Sequence, residues 1–208
     1  MVHEALPFLK SMATEFPDDI IIEEFSPISI WFSYGSNLST PDFEHKMREH
    51  GSSLSLLRPR PGTLVGWRRR LDNKSKTRGL AYAIKKIPSE PNSKVVGIVH
   101  DIPIGDLSAF LQFEGVLDDN FELKDKAKGR TYDIRRVSIE LRNLDTPIEC
   151  YTLEGISSAN DEERLQRITK RAKDLKAYVR TAMKGSIEFG IEISAFQEDI
   201  SEIERLSA

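Results

Sequence analysis

Three things are scarce in this sequence: cysteine, long apolar runs and an excess of either charge. Cys150 is the one cysteine among 208 residues, which excludes an intramolecular disulfide and any zinc or iron–sulfur cluster built on several cysteines. No stretch approaches the roughly 18–20 uninterrupted apolar residues that span a bilayer. Thirty Lys and Arg stand against 33 Asp and Glu, and the formal net charge of -3 argues against a protein that mainly coats nucleic acid.

The remaining composition, 39% hydrophobic and 30% charged, is typical of a soluble globular chain. The length suits one compact domain. A lone cysteine predicts a reducing setting, for which the cytoplasm is the default. We expect an N-terminal extension over residues 1–26, a domain over residues 27–192 and a C-terminal helix over residues 193–208.

Strand patterns fill the first part of the domain and helical patterns its end. About six strands are predicted, at Ile28–Tyr34, Thr63–Leu71, Gly79–Ile87, Val95–Ile102, Thr131–Leu141 and Pro147–Leu153. Helices are predicted from an N-cap at Thr40, from an N-cap at Asp106, over Asp161–Lys184 with Gly185 as the stop, and around Phe196–Leu206. This order predicts an α+β domain rather than alternating βαβ units.

One loop stands out between the first strand and the first helix: Tyr34, Gly35, Ser36, Asn37 and Leu38. Gly35 permits backbone angles that other residues avoid, and Ser36 and Asn37 favour turns whose successive N–H groups face one concavity. Such a nest at a helix N-terminus suits a carboxylate, a phosphate or a developing oxyanion. The alternative is an ordinary strand-to-helix turn with a cap.

Glu114 is the second candidate, at the predicted end of the helix after Asp106, beside Phe113 and before Gly115. The negative end of a helix dipole is unfavourable for a carboxylate, and aromatic shielding would raise its pKa above the usual value of about 4.3. A raised pKa is what a general acid or base needs. The alternative is a solvated glutamate in the last helical turn.

Other residues have simpler interpretations. A basic run could bind nucleic acid or phosphate, but a solvated strand edge is the more ordinary interpretation; its members are Arg58, Arg60, Arg68, Arg69, Arg70, Lys74, Lys76 and Arg78. Trp67 is expected to pack in the core or at a barrel rim. Cys150 is interpreted as a small buried hydrophobe and His100 as a hydrogen-bonded histidine at a strand edge.

Taken together, the motifs resemble the gamma-glutamylcyclotransferase-like (AIG2-like) family. The loop Tyr34–Leu38, followed much later by Asp106-Leu107 and Glu114–Val116, carries the resemblance. Gly62–Leu71 is similar to the family's Gly-x-Leu-x-Gly-aromatic-Arg-Leu strand. Further matches are Gly79–Ala81, Val95–Val99 and, near the end, Tyr178, Gly185, Glu188 and Gly190, so that the resemblance covers residues 28–191.

The resemblance implies a small mixed β-barrel flanked by helices, with no metal or organic cofactor. The family's reaction is intramolecular: the α-amine of a γ-glutamyl compound attacks its own γ-carbonyl, releasing an amine or amino acid and 5-oxoproline. Glu114 would be the catalytic acid and base, and the loop Tyr34–Leu38 would bind the substrate. The expected partner is a small γ-glutamyl compound. Binding to a membrane is not expected, and binding to nucleic acid is disfavoured. Whether the chain forms a homodimer is left open.

Three departures bear on the substrate more than on the fold. Where the family often has a tyrosine shortly after Glu-Gly-Val, this chain has Asn120-Phe121; Gly190-Ile191-Glu192 replaces Gly-Leu-Pro; and Pro41–Arg60 exceeds a minimal family loop. The alternative function is a non-catalytic small-ligand binding or interaction module on the same fold. If Glu114 lines a cavity with the amides of Gly35–Leu38, catalysis is favoured. If Glu114 is exposed or forms a salt bridge outside the cavity, the binding module is favoured.

Overall fold

A computed structural model of the chain describes residues 28–52, 57–120, 122–125 and 129–207, so the expected extension over residues 1–26 lies outside the described residues. The strands are β1 Ile28–Ser33, β2 Leu57–Val65, β3 Trp67–Ser75, β4 Gly79–Lys86, β5 Lys94–Pro103, β6 Tyr132–Leu141 and β7 Ile148–Gly155. The helices are α1 Thr40–Glu49, α2 Leu107–Phe113, α3 Asp161–Glu188 and α4 Ser194–Ser207, with 3-10 turns at Ser36–Leu38 and Ile104–Asp106. None of the helices in these ranges is both long enough and apolar enough to cross a membrane.

Five of these strands close into a small mixed barrel. β1 pairs with β5, β5 with β2, β2 with β6 and β6 with β7, and β7 returns to β1. The closing pair is parallel, with Trp31 opposite Tyr151, whereas the other pairs of the ring are antiparallel. β4 continues from β7 outside the ring, and β3 forms the edge beside β4. The predicted α+β class, with a mixed barrel flanked by helices, is confirmed.

Two predicted boundaries in the first half of the chain are wrong. The strand predicted over Thr63–Leu71 is interrupted at Gly66, whose φ of +80° is a left-handed conformation that glycine adopts without strain. The described residues therefore contain seven strands where about six were expected. The N-cap of α1 is Ser39 with extended backbone angles, and Thr40 is already helical.

The long helix α3 starts at a capping box. The Asn160 side chain accepts a hydrogen bond from the Glu163 amide at 2.8 Å, and the Glu163 carboxylate accepts one from the Asn160 amide at 3.2 Å. These two bonds satisfy amides that the first helical turn leaves without partners. Asn160 is therefore the N-cap at which the preceding loop ends and α3 begins.

Gly185 does not end this helix, as the sequence had suggested; α3 continues to Glu188. Its role is close packing, because a Cβ built on Gly185 would lie 2.1 Å from the carbonyl carbon of Leu38. Real side chains do not approach backbone so closely. The helix and the 3-10 turn Ser36–Leu38 therefore meet backbone to backbone.

Two hydrophobic clusters meet at that turn. The larger joins barrel residues such as Leu64, Ile98 and Ile139 to α3 and α4, including Leu175, Val179, Phe196 and Ile203. The smaller joins β1 to α1 and α2 through Trp31, Phe43, Met47, Phe110 and Leu111. Leu38 belongs to the larger cluster and Phe43 to the smaller, so the turn and α1 are held from both sides. Trp67 and Cys150 are buried in the larger cluster, which confirms both predictions.

The prediction of an edge position for His100 is wrong. β5 is paired on both sides, and His100 is fully buried with its ring centroid 5.1 Å from that of Phe43. Burial lowers the pKa of His100 to about 4, so the imidazole is neutral near pH 7. A neutral ring packs against an aromatic neighbour without the cost of burying a charge.

Most of the described cations in the basic run have partners. Four form ion pairs: Arg60 with Asp101, Arg68 with Glu90 at 3.4 Å, Arg70 with Asp72 at 3.3 Å and Lys74 with Glu163 at 2.8 Å. Arg69 lies against two aromatic rings, with its guanidinium carbon 5.0 Å from the centroid of Tyr82 and 3.6 Å from that of Phe196. Of these contacts, Lys74 with Glu163 and Arg69 with Phe196 link the edge strand β3 to α3 and α4.

We predict that Gly185→Ala lowers the free energy of unfolding by about 2 kcal/mol or more, because overpacking a close contact is costly. At an open helical position the same change would stabilise by up to about 1 kcal/mol, since alanine is the better helix former. Urea titration measures the difference. Gly105→Ala is the control, because a Cβ there meets nothing within 4 Å. A Gly185→Ala variant as stable as the parent would contradict the close approach.

Candidate active site

The loop predicted to bind substrate forms a tight turn after β1. The Leu38 amide donates to the Gly35 carbonyl at 3.1 Å, and the Ser39 amide to the Ser36 carbonyl at 3.3 Å. The amide of Leu38 is therefore used within the turn, whereas the first amides of a 3-10 turn, here Ser36 and Asn37, have no partner inside it. The Leu38 side chain is fully buried in the larger cluster.

Gly35 is needed for room rather than for a left-handed backbone. Its φ is -121° and its ψ is -134°. A Cβ on Gly35 would lie 3.0 Å from the Tyr178 hydroxyl oxygen and 3.5 Å from Cβ of Tyr82. The turn can thus pass close to α3 and β4, which carry these two tyrosines.

Asn37 and Glu114 are brought together from positions 77 apart in the sequence. Glu114 is the C-cap of α2, and Gly115, with φ of +73°, ends the helix as predicted. The side-chain Nδ2 of Asn37 donates a hydrogen bond to Oε1 of Glu114 at 2.5 Å. Glu114 is half-buried, so it is neither a solvated last-turn residue nor part of an outward-facing ion pair.

Burial is the main reason that the pKa of Glu114 is raised above its ordinary value. The hydrogen bond from Asn37 and the positive charges of Lys46 and Arg78 act in the opposite direction and lower it. Shielding from solvent, one of the two predicted causes, therefore acts. The carboxyl group is less acidic than usual, yet several groups stabilise its ionised form.

Three tyrosine side chains, Tyr34, Tyr132 and Tyr178, are close enough to interact electrostatically with Glu114. The Tyr34 hydroxyl donates to the Leu153 carbonyl, and the Tyr132 hydroxyl donates to the Tyr82 carbonyl at 3.0 Å. The Tyr178 hydroxyl accepts from the Tyr82 amide at 3.1 Å. The Tyr178 hydroxyl also hydrogen-bonds the Ser36 side chain, so it has two partners within the protein.

Sequence reasoning missed Tyr132. The family's tyrosine was sought shortly after Glu-Gly-Val, at Asn120-Phe121, and Phe121 lies outside the described residues. Tyr132 instead opens β6, the next strand in the chain, and its hydroxyl belongs to the surroundings of Glu114. A tyrosine at the start of the strand that follows the glutamate was the available signal.

A cavity of about 410 Å³ lies beside this cluster, in the size range of small-molecule sites. Its wall consists of Ser36, Asp42, Lys46, Thr77, Arg78, Arg171, Asp174, Ala177, Tyr178 and Thr181. Glu114 is not one of these wall residues, and of the loop Gly35–Leu38 only Ser36 is, so this cavity does not meet the condition set above for catalysis. Lys46 and Arg78, which do line it, act on the charge of Glu114. Within the described ranges, no group of three or more His, Cys, Asp or Glu side chains is placed to hold a metal ion.

No protein-family model matches the sequence. Solved structures do resemble the chain. A gamma-glutamyl cyclotransferase has a TM-score of 0.56 at 16% identity, with 87% of each chain covered. A gamma-glutamyl cyclotransferase specific to glutathione, from yeast, has a TM-score of 0.57 at 10% identity and covers 87% of this chain and 100% of its own. An uncharacterized protein from Homo sapiens has a TM-score of 0.56 at 17% identity, with 88% of each covered.

The chain therefore has the gamma-glutamylcyclotransferase-like fold. The resemblance found in the sequence is confirmed at the level of the architecture, since the neighbours share the mixed barrel and its flanking helices. Similarity at identities of 10–17% shows a shared fold alone, so the chemistry of the site depends on this chain's own residues.

We predict that the pKa of Glu114 lies above 4.5 and rises further in Asn37→Ala, because the variant removes a donor that stabilises the carboxylate. NMR titration of ¹³C-labelled glutamate side chains measures both values. Asn120→Ala is the control, since Asn120 is exposed and is not among the groups that shift Glu114. A Glu114 pKa that is unchanged or lower in Asn37→Ala would contradict the hydrogen bond's role.

Proposed function

We propose that the chain is a gamma-glutamylcyclotransferase-like enzyme that converts a small γ-glutamyl amino acid or amine to 5-oxoproline and the free amine. The observation that carries the proposal is the Asn37–Glu114 pair: a half-buried carboxyl with a raised pKa, hydrogen-bonded to the loop of the family motif. The shared fold of two gamma-glutamyl cyclotransferases supports it.

In the proposed reaction Glu114 moves protons and the substrate supplies the nucleophile. The ionised Glu114 carboxylate accepts a proton from the substrate's α-ammonium group, which frees the amine's electron pair to attack the γ-carbonyl carbon. A new C–N bond closes the five-membered ring. Glu114 gives the proton to the leaving nitrogen as the old C–N bond breaks, which regenerates the carboxylate. The carboxylate then takes the second surplus proton from the ring nitrogen, which becomes the neutral lactam N–H, and passes it to the released amine, which leaves as an ammonium ion.

Ring closure within one molecule asks little of the enzyme beyond orientation and proton transfer. Nucleophile and electrophile are already tethered in one molecule, so the enzyme mainly holds the substrate in a conformation from which the ring can close. The raised pKa makes Glu114 a better proton acceptor than an exposed glutamate. The Asn37 amide holds the carboxyl group in one orientation for both proton transfers.

The substrate's negative charge has two sets of donors near Glu114. The amides of Ser36 and Asn37, which the turn leaves without internal partners, are assigned to the substrate α-carboxylate or to the oxyanion that forms on the γ-carbonyl. The Tyr178 hydroxyl, which lines the cavity and hydrogen-bonds the Ser36 side chain, is assigned as the second donor to the substrate. In this proposal Tyr34, Gly35 and Leu38 shape the loop without donating to the substrate.

The alternative is a non-catalytic small-ligand binding module on the same fold. The same loop and cavity would serve it, but a binding site has no need of a carboxyl group whose pKa is raised by burial. A cytoplasmic location is a further proposal, made from the lone Cys150, whereas the choice between monomer and homodimer is left open.

We predict that Glu114→Gln lowers kcat/KM for 5-oxoproline formation by about 10²–10⁴-fold, because a glutamine cannot accept and return the proton. Purified protein is incubated with a panel of γ-glutamyl amino acids and amines, and 5-oxoproline is quantified by mass spectrometry. Glu90→Gln is the matched control, since Glu90 is exposed in a hairpin and should leave the rate unchanged.

Two results would overturn the proposal. One is the absence of 5-oxoproline from every compound in the panel, accompanied by binding of one of them, which would favour the binding module. The other is equal 5-oxoproline formation by the parent and by Glu114→Gln, which would remove Glu114 from the chemistry.

A further inference from the structure

Tyr82, on β4, joins the surroundings of Glu114 to the C-terminal helix α4. Its backbone binds two site tyrosines: the Tyr82 amide donates to the Tyr178 hydroxyl at 3.1 Å, and the Tyr82 carbonyl accepts from the Tyr132 hydroxyl at 3.0 Å. The rings of Tyr82 and Tyr178 also pack together, with centroids 5.5 Å apart. The position of the Tyr82 backbone therefore sets the position of two hydroxyls that interact with Glu114.

The side chain of Tyr82 is bound by α4. Its hydroxyl donates a hydrogen bond to Oδ2 of Asp199 at 2.6 Å, and its ring meets that of Phe196 edge-on, with centroids 5.5 Å apart. Tyr82 is fully buried, so Asp199 supplies the partner that a phenol hydroxyl needs once it is removed from water. The contact with α4 thus fixes the far end of a side chain whose backbone holds the site tyrosines.

Arg69, on β3, is the third member of this contact. Its guanidinium carbon is 5.0 Å from the centroid of Tyr82 and 3.6 Å from that of Phe196, distances at which a cation is attracted to an aromatic face. Burial raises the pKa of Asp199, whereas the Tyr82 hydroxyl and the charge of Arg69 lower it and so stabilise the carboxylate. Two strands and α4 therefore meet at Tyr82.

We propose that Asp199 and Arg69 are positioning residues for the site, which act by fixing the side chain of Tyr82. The Tyr82 backbone then holds the hydroxyls of Tyr178 and Tyr132 in place. The C-terminal helix supports the site in this way although it contributes no residue to the described wall of the cavity. The positioning stands on these contacts alone, and its effect on turnover rests on the cyclisation proposed above.

Hydrogen exchange at the Tyr82 amide tests the positioning without any turnover. Asp199→Ala removes the acceptor from the Tyr82 hydroxyl and should speed exchange of that amide about tenfold relative to the amides of β5, the worth of one hydrogen bond. The ¹³Cζ resonance of Tyr178 should shift with it. Asp199→Asn keeps an acceptor oxygen and should restore part of the protection. Tyr82→Phe, which keeps the ring and loses only the hydroxyl, should reproduce the effect of Asp199→Ala.

Glu202→Ala is the matched control, because Glu202 joins α4 to Arg164 of α3, Oε1 to Nη1 at 2.8 Å, rather than to Tyr82. This variant loosens α4 and should leave exchange at Tyr82, relative to β5, unchanged. An equal change in Glu202→Ala would overturn the inference, because Asp199 would then only help α4 to pack onto the domain. Unchanged exchange at Tyr82 in both Asp199→Ala and Tyr82→Phe would also overturn it.

The effect on turnover is measured separately, as 5-oxoproline formation from γ-glutamyl amino acids. Asp199→Ala should lower kcat/KM about tenfold, because Tyr178 is assigned as a donor to the substrate, and Asp199→Asn should recover part of the loss. Glu202→Ala should keep the parent rate. Full activity in Asp199→Ala would overturn the role of α4 in the site. If the parent protein yields no 5-oxoproline, the proposed function fails, and exchange at Tyr82 alone then decides the positioning.

Discussion

The hydrogen bond from Asn37 to Glu114 is the interaction around which the site is organised. It joins the turn after β1 to the end of α2, and each of these segments also anchors one hydrophobic cluster. Burial raises the pKa of the Glu114 carboxyl, and full solvation would leave it a weaker base. The Asn37 amide and the charges of Lys46 and Arg78 oppose the effect of burial, so the group can both accept and return a proton.

That hydrogen bond is possible only because the turn is held closely between a helix and the barrel. Gly185 lets α3 contact the backbone of Leu38, and Gly35 lets the turn pass the Tyr178 hydroxyl. Tyr178 in turn accepts a hydrogen bond from the β4 amide of Tyr82. One helix therefore sets the distance between the loop and the sheet, and lines the cavity as well. The two glycines matter for the space they leave, and neither has a positive φ.

Local features of the sequence were sufficient for much of the fold and for two candidate site residues that the structure brings together. The bounds of β4 and β5 follow from apolar runs, and Asn37 and Glu114 belong to short motifs beside a strand and a helix end. Tertiary contacts decided the rest. The close approach at Gly185 overrides its tendency to end a helix, and Tyr132 reaches the site through strand pairing. Lys46 and Arg78 come from separate elements, and no sequence spacing relates them to Glu114.

Intramolecular cyclisation at Glu114 is the central claim, and the origin of the oxygen atoms in the product tests it most directly. When γ-glutamyl-alanine is turned over in H₂¹⁸O, ring closure by the substrate's own amine forms no bond to water. Mass spectrometry should then find 5-oxoproline without ¹⁸O and in equal amount to the released alanine. Glutamate that carries one ¹⁸O would mean that water is the nucleophile, and it would contradict the account.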